Sequence, residues 1–190
     1  LFPSKRMRHG RMMSLNRRIL RLGIPSTIAS LSVPLIGIVD TALIGHLPEV
    51  AYLGAVAVAS VIFDVIYWGF GFLRMGTTGL TAQHFGANQR AACTRVLVQT
   101  CLLGAVIGIL IVLLRGVLED VGFGLAGGSE DVQYWGREYF RVRIYAVPVI
   151  LVTLALTGFL RGISDAITPM WITVIVNIVN VVGDYTLIYG

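Results

Sequence analysis

Charged residues are scarce in this sequence. Only 13% of its residues are Asp, Glu, Lys or Arg, whereas 56% are hydrophobic and the mean hydropathy is +0.80. A soluble domain carries about a quarter of its residues as charged side chains. Because this chain has roughly half of that share, we expect much of its surface to contact lipid. The lipid bilayer is therefore the first predicted partner.

Cysteine and recognisable catalytic groups are nearly absent too. The two cysteines, Cys93 and Cys101, lie in one apolar stretch without the spacing of a disulfide framework or a zinc site, and we interpret both as buried hydrophobic residues. There is no phosphate-binding loop and no nucleophile–base pair, and the three histidines are scattered. These absences favour a protein that is not an enzyme and that needs no cofactor.

Long apolar runs dominate what remains. Five of them are candidate membrane spans, at residues 22–47, 51–73, 93–114, 135–160 and 170–189. Each is long enough to cross about 30 Å of hydrocarbon as a helix. They lack the alternation of a membrane β-strand, so the predicted fold is an all-α polytopic transmembrane bundle. Five is an odd number without a visible second repeat, and we expect the chain to be part of a longer protein.

The basic residues are distributed unevenly along the chain. Seven of the fifteen lie in residues 1–21, which predicts a basic cytoplasmic tail and not a nucleic-acid-binding surface. With the amino terminus inside, the cytoplasmic segments hold eleven Lys and Arg residues and the outer segments hold four. This asymmetry follows the positive-inside rule and predicts a cytoplasmic amino terminus.

Two aspartates inside predicted spans are the main functional candidates. Asp40 lies in the first span after Pro34, which should kink that helix and leave carbonyls free near the carboxylate. Asp184 lies in the fifth span, where Asn177, Asn180 and Asp184 share one helix face. An ionisable residue in a span costs about 2.5–3.5 kcal/mol or more, so both are candidate proton or cation sites. The alternative is that they only hold the bundle together.

Three further ionisable residues have open roles. Asp64 stands alone among large apolar residues of the second span, where a structural role is equally plausible. Arg141 and Arg143 enter the fourth span from outside and could pair with Asp40 or Asp184, which would lower the carboxylate pKa.

Six glycines are expected to allow close helix contacts, namely Gly37, Gly45, Gly69, Gly71, Gly76 and Gly79.

Several motifs together resemble the multidrug and toxic compound extrusion (MATE) transporters, and within them the DinF-type branch. They lie at residues 34–41, 44–46, 53–57, 71–83, 86–87 and 160–165, with Pro169, Asn180 and Asp184. The resemblance implies five spans of a six-helix amino-terminal lobe, in a fold of twelve spans and two lobes. It implies an antiporter of the bacterial inner membrane that exports organic, often cationic, compounds in exchange for H⁺ or Na⁺.

The resemblance also implies a coupling-ion site at Asp40, Asn180 and Asp184, with no bound metal other than Na⁺ as coupling ion. The resemblance further implies that one full-length chain, including a second lobe, transports a small organic substrate. Two other classes stay open: an exporter or flippase of lipid-linked precursors with a similar two-lobe fold, and a membrane scaffold without transport. Transport assays would separate these classes.

Overall fold

The computed structural model describes residues 20, 23–28, 30, 31, 34, 35, 37–39, 41, 42 and 50–189, without the side chains of residues 50, 184, 185 and 187–189. The described residues up to 42 are helical. The predicted tail, apart from Leu20, and the Asp40 site lie outside the described residues, and so does part of the first predicted span, residues 22–47. The remaining helices are α1 (Val50–Gly69), α2 (Phe72–Gly86), α3 (Arg90–Leu113), α4 (Arg115–Ala126), α5 (Glu130–Arg143), α6 (Val147–Gly162) and α7 (Ile167–Tyr189).

The described part of the chain contains no strand, which confirms the all-α prediction. Three helical segments are long and apolar enough to cross a membrane: Ala51–Gly86, Arg90–Leu113 and Glu130–Gly162. Ile167–Gly183 forms a shorter apolar segment. The positions at which the spans enter and leave the bilayer stay a prediction.

The chain divides into two compact units. Thr41–Ile163 forms one, and Leu1–Asp40 with Ser164–Gly190 forms the other. In the first unit, α6 packs against α2 and α3, and α1 packs against α5. The buried core of this unit contains large side chains from several helices, among them Phe63, Phe123, Phe140, Ile144 and Leu151.

Glycines bring α6 close to its neighbours, but they are not the glycines that the sequence indicated. A Cβ at Gly158 would lie 2.6 Å from the carbonyl oxygen of Arg74, and one at Gly162 would lie 2.6 Å from Cβ of Thr81. At Gly69, Gly76 and Gly79 no described atom lies within 4 Å of this position, and Gly71 faces a carbonyl of its own turn. Among the described residues, the prediction of close contact was therefore wrong for Gly69, Gly76 and Gly79. It stays a prediction for Gly37, which belongs to the other unit, and Gly45 lies outside the described residues.

Pro148 explains why the predicted fourth span is not one regular helix. A proline has no amide hydrogen, so the carbonyl of Ile144 cannot receive the usual bond from residue 148. A short 3₁₀ turn at Ile144–Ala146 replaces it, and the amide of Val147 donates to that carbonyl. The carbonyl of Ile144 is therefore paired at the junction between α5 and α6.

A short helix occupies part of a predicted connection. The predicted spans leave residues 115–134 as a connection, but α4 occupies Arg115–Ala126 and only residues 127–129 separate it from α5. Gly127 and Gly128 have φ angles of 67° and 118°, which glycine adopts without a steric penalty. Ser129 then caps α5 by accepting a bond from the amide of Val132.

Candidate ion-coupling site

Helix α7 is the element that carries the predicted coupling residues. It is a continuous α-helix of 23 residues, apolar along most of its length. Asn177, Asn180 and Asp184 follow one another at intervals of three and four residues, so the helix backbone places them on one face. Among them, Asn177 is half-buried and Asn180 is exposed. The side chain of Asp184 lies outside the described residues.

Asn177 has a side-chain nitrogen that no described group satisfies. Its Nδ2 atom is buried without a hydrogen-bond partner among the described residues. Leaving a buried polar group unpaired costs about 1–3 kcal/mol. An amide in this state favours a ligand, a water molecule or a further part of the protein as its partner, which is consistent with a polar site on this face of α7.

The start of α7 is fixed by Asp165. Its Oδ1 atom accepts bonds from the amides of Ile167 and Thr168, both at 3.1 Å, and its Oδ2 atom accepts from the Thr168 hydroxyl at 2.6 Å. These hydrogen bonds, chiefly those from Thr168, hold the pKa of the Asp165 carboxyl below its ordinary value. Asp165 therefore acts as an ionised N-cap and sets the register of the helix that carries Asn177, Asn180 and Asp184.

Arg141 belongs to a salt-bridge network between α4 and α5. Its Nη2 atom lies 2.9 Å from Oε1 of the buried Glu119, and its Nη1 atom lies 2.8 Å from Oε1 of Glu138. Arg137 joins the same network through Glu119 at 3.3 Å and Asp120 at 2.9 Å. The predicted pairing of Arg141 with Asp40 or Asp184 involves side chains outside the described residues and stays a prediction, but Arg141 already has two acidic partners.

Arg143 is held by neutral groups. Its Nη1 atom donates to the hydroxyl of Tyr139 at 2.6 Å and to Oγ of Ser60 at 3.3 Å. Its guanidinium also lies over the ring of Phe63, 5.0 Å from the centroid. No described carboxylate lies within salt-bridge distance of Arg143, so the packing of α1 against α5 places a cation among aromatic rings.

Sequence reasoning missed Glu119 as a buried partner of two arginines. Arg137 and Arg141 are 18 and 22 residues away from it in the chain. The spacing of Arg137 and Arg141 by four residues did place both on one face of α5. The sequence offers Glu119 and Asp120 as candidate partners for these two arginines. It does not show which of the two carboxylates is buried, because that depends on contacts between helices that are distant in the chain.

The described helices and their buried polar groups are those of a polytopic helical membrane protein. Residues 25–186 match the family model described as MatE, and the chain belongs to that family. DNA damage-inducible protein F of Escherichia coli (strain K12) is 40% identical over 179 residues, covering 94% of this chain and 39% of that protein. These matches confirm the predicted family and its DinF-type branch.

More distant relatives agree with this assignment. The probable multidrug resistance protein NorM of Geobacillus kaustophilus is 24% identical over 92% of this chain and 38% of its own length. A solved structure of a MOP superfamily transporter from Pyrococcus furiosus superposes with a TM-score of 0.83 at 27% identity, covering 90% of this chain and 38% of that one. This chain thus spans about two fifths of the length of the curated relatives that it matches.

Proposed function

We propose that this chain is the amino-terminal part of a secondary active antiporter, which exports organic, often cationic, compounds in exchange for H⁺ or Na⁺. The observation that carries the proposal is the polar face of Asn177, Asn180 and Asp184 on the otherwise apolar helix α7. Membership of the MatE family and similarity to probable multidrug resistance proteins support it.

The coupling site of the proposal consists of Asp40, Asn180 and Asp184, with Asn177 as an auxiliary polar group. A carboxylate in an apolar helix is costly while charged, and either a proton or a sodium ion removes most of that cost. The amide oxygens of the two asparagines are suitable neighbours for either ion. The buried, unpaired Nδ2 atom of Asn177 supports the presence of a polar environment at this face.

Ion binding would change the charge of this face and thereby the stability of alternative helix arrangements. A neutralised face can pack against apolar helices, whereas a charged face needs water or a polar partner. A substrate that binds only one of the two arrangements is then linked to the ion by a coupling free energy. Exchange follows when the ion and the substrate stabilise opposite arrangements.

The setting of the proposal is the inner membrane of a bacterium, with the amino terminus in the cytoplasm. The working protein would be a single polypeptide, in which a second lobe completes the cavity around the substrate. No nucleic acid takes part, and the coupling ion is the only inorganic ligand.

The test is substrate efflux from vesicles that contain the purified full-length protein, with pH and Na⁺ gradients imposed separately. Ethidium is a suitable fluorescent cationic probe. We expect one of the two gradients to accelerate its movement in the wild-type protein, and neither gradient to do so in the Asp184→Asn variant. The variant Asp120→Asn, which changes an exposed carboxylate of α4, is the matched control.

Two results would overturn the proposal. Gradient-independent ethidium movement in the wild-type protein would exclude an ion-coupled antiporter. Movement of fluorescent anionic lipid between the leaflets, without ethidium transport, would instead support the exporter of lipid-linked precursors.

A further inference from the structure

Asp64 is an exposed carboxylate in the middle of a membrane-length apolar segment. It lies on α1, within Ala51–Gly86, and its side chain is exposed. Its neighbours on the same face are Val61 and Val65, which are 60% and 70% exposed. This face of α1 is therefore not covered by the described helices, and it carries a negative charge.

Placing a charge at this position against hydrocarbon carries a large free-energy cost. The cost at the centre of a span is at least about 2.5–3.5 kcal/mol for an aspartate. None of the described basic residues forms a salt bridge with Asp64. The face around Asp64 is consequently more stable against water, or against a cation, than against lipid chains.

Arg143 lies in the same region but is engaged elsewhere. Ser60, which accepts a hydrogen bond from Arg143, lies one helical turn before Asp64 on α1. The Nη1 atom of Arg143, however, donates to Ser60 and Tyr139, and its guanidinium lies over aromatic rings. Among the described residues, Arg143 therefore does not occupy the Asp64 carboxylate, and a cation from outside the chain can bind there.

Trp68 supplies an aromatic surface beside this carboxylate. It lies one helical turn after Asp64 and is 90% exposed, the largest exposed fraction among the large hydrophobic side chains described. Residues four apart on a helix are neighbours, with Cβ atoms about 5–6 Å apart. The face of an indole ring attracts cations more strongly than that of phenylalanine or tyrosine.

We propose that Asp64 and Trp68 form a subsite for an organic cation, on a face of α1 that lines a water-accessible cavity of the full-length protein. The carboxylate supplies the opposite charge and the indole supplies a cation–π surface, while Val61 and Val65 accept the apolar part of the ligand. This inference rests on the proposed export of organic compounds and names a subsite for the cationic ones.

Equilibrium binding of tetraphenylphosphonium to the purified full-length protein tests the subsite without any ion gradient. We expect Asp64→Asn to raise the Kd by about tenfold or more, and Trp68→Leu to raise it by about 3- to 30-fold, as loss of a cation–π contact would. Asp64→Glu should restore most of the affinity. Triphenylphosphine oxide, a neutral probe of similar shape, should bind with nearly the same Kd to wild type and Asp64→Asn.

Thiol labelling separates a water-filled cavity from other occupants of this face. In a variant without Cys93 and Cys101, a cysteine introduced by Asp64→Cys should react with a charged, membrane-impermeant reagent. Tetraphenylphosphonium should protect a cysteine introduced by Val65→Cys, which leaves Asp64 and Trp68 in place. Leu102→Cys on α3, where the native side chain is 61% exposed in an apolar segment, is the control for a lipid-facing position.

An unchanged Kd for tetraphenylphosphonium in Asp64→Asn would overturn the inference. So would a thiol in the Asp64→Cys variant that the charged reagent does not reach, because lipid, a second copy or another part of the protein would then cover the face. Because binding is measured at equilibrium, these outcomes are independent of whether an ion gradient drives transport, so failure of the subsite is distinguishable from failure of antiport.

Discussion

Arg141 holds the buried carboxylate of Glu119 with two of its nitrogens. Its Nε atom lies 3.1 Å from Oε2 and its Nη2 atom lies 2.9 Å from Oε1, so the guanidinium and the carboxylate meet edge to edge. The Glu119 side chain is 8% exposed, whereas that of Arg141 is 54% exposed. This pair joins α4, which is too short to span a membrane, to α5.

Removing the arginine should therefore destabilise the protein. Arg141→Gln leaves the buried Glu119 with only the longer contact to Arg137, and breaking a buried pair costs up to about 3–5 kcal/mol. Because Glu119 stays buried and loses its two shortest contacts, we expect a lower thermal midpoint of the full-length protein in detergent. Glu138→Gln removes an exposed partner of the same arginine and should cost less than about 1 kcal/mol. Equal effects of the two variants would contradict a structural role for the buried pair.

The close approach of α6 to α2 gives a second prediction. A Cβ at Gly158 would collide with the backbone carbonyl of Arg74, which cannot move without shifting α2. Gly158→Ala should therefore destabilise the fold by about 1–3 kcal/mol, the usual cost of overpacking. Gly76→Ala and Gly79→Ala on α2 add a methyl group to open space and should leave the thermal midpoint unchanged or slightly raised. If Gly76→Ala or Gly79→Ala lowered the thermal midpoint more than Gly158→Ala, the face of α2 that carries these two glycines would be the packed one, contrary to this prediction.

The cap of α7 should make stability depend on pH. Because hydrogen bonds lower the pKa of Asp165 in the folded protein, its contribution is complete above the unfolded value of about 3.9. The contribution is then lost as the pH falls through the lower pKa of the folded state. Asp165→Ala should cost about 0.5–2 kcal/mol at pH 7 and less at pH 3, measured as thermal midpoints across this range.

Asp165→Asn is the matched control for the cap. Asparagine keeps the side-chain acceptor for the amides of Ile167 and Thr168 but carries no charge that could titrate. Its midpoint should stay near that of the wild type at pH 7, with a smaller decline on acidification. If Asp165→Ala followed the wild-type pH curve without an offset, the cap would have no role in stability.

The sequence predicts the helical class because long apolar runs without alternation have one stable form in lipid. It does not predict α4, whose Gly116, Gly122 and Gly124 lower helix propensity by about 1 kcal/mol each. Burial of Glu119 and Phe123 against α5 offsets that cost, and such contacts between distant segments leave no periodic signal. The sequence also did not predict the interruption of the second span at Phe70–Gly71, between α1 and α2, because both residues continue the apolar run.

The candidate site shows the same division between local and non-local information. The shared face of Asn177 and Asn180 could be read from their spacing, because it depends only on helix geometry. The partners of Arg141 and Arg143 could not, because they depend on which helices become neighbours. The glycine contacts follow this rule as well: the close glycines are the ones that meet a neighbouring backbone or a bulky side chain, such as Gly158 against Arg74.

Reverse coupling is the most direct test of ion exchange at Asp40 and Asp184. Because linkage between two ligands is reciprocal, a substrate gradient alone should drive the coupling ion in the opposite direction. In vesicles of the full-length protein without ion gradients, an imposed ethidium gradient should move H⁺ or Na⁺, followed with a pH- or sodium-sensitive dye. We expect this ion movement in the wild type and in Asp120→Asn, and none in Asp184→Asn or Asp40→Asn. Ion movement of wild-type rate in both site variants, or none in the wild type, would contradict the account.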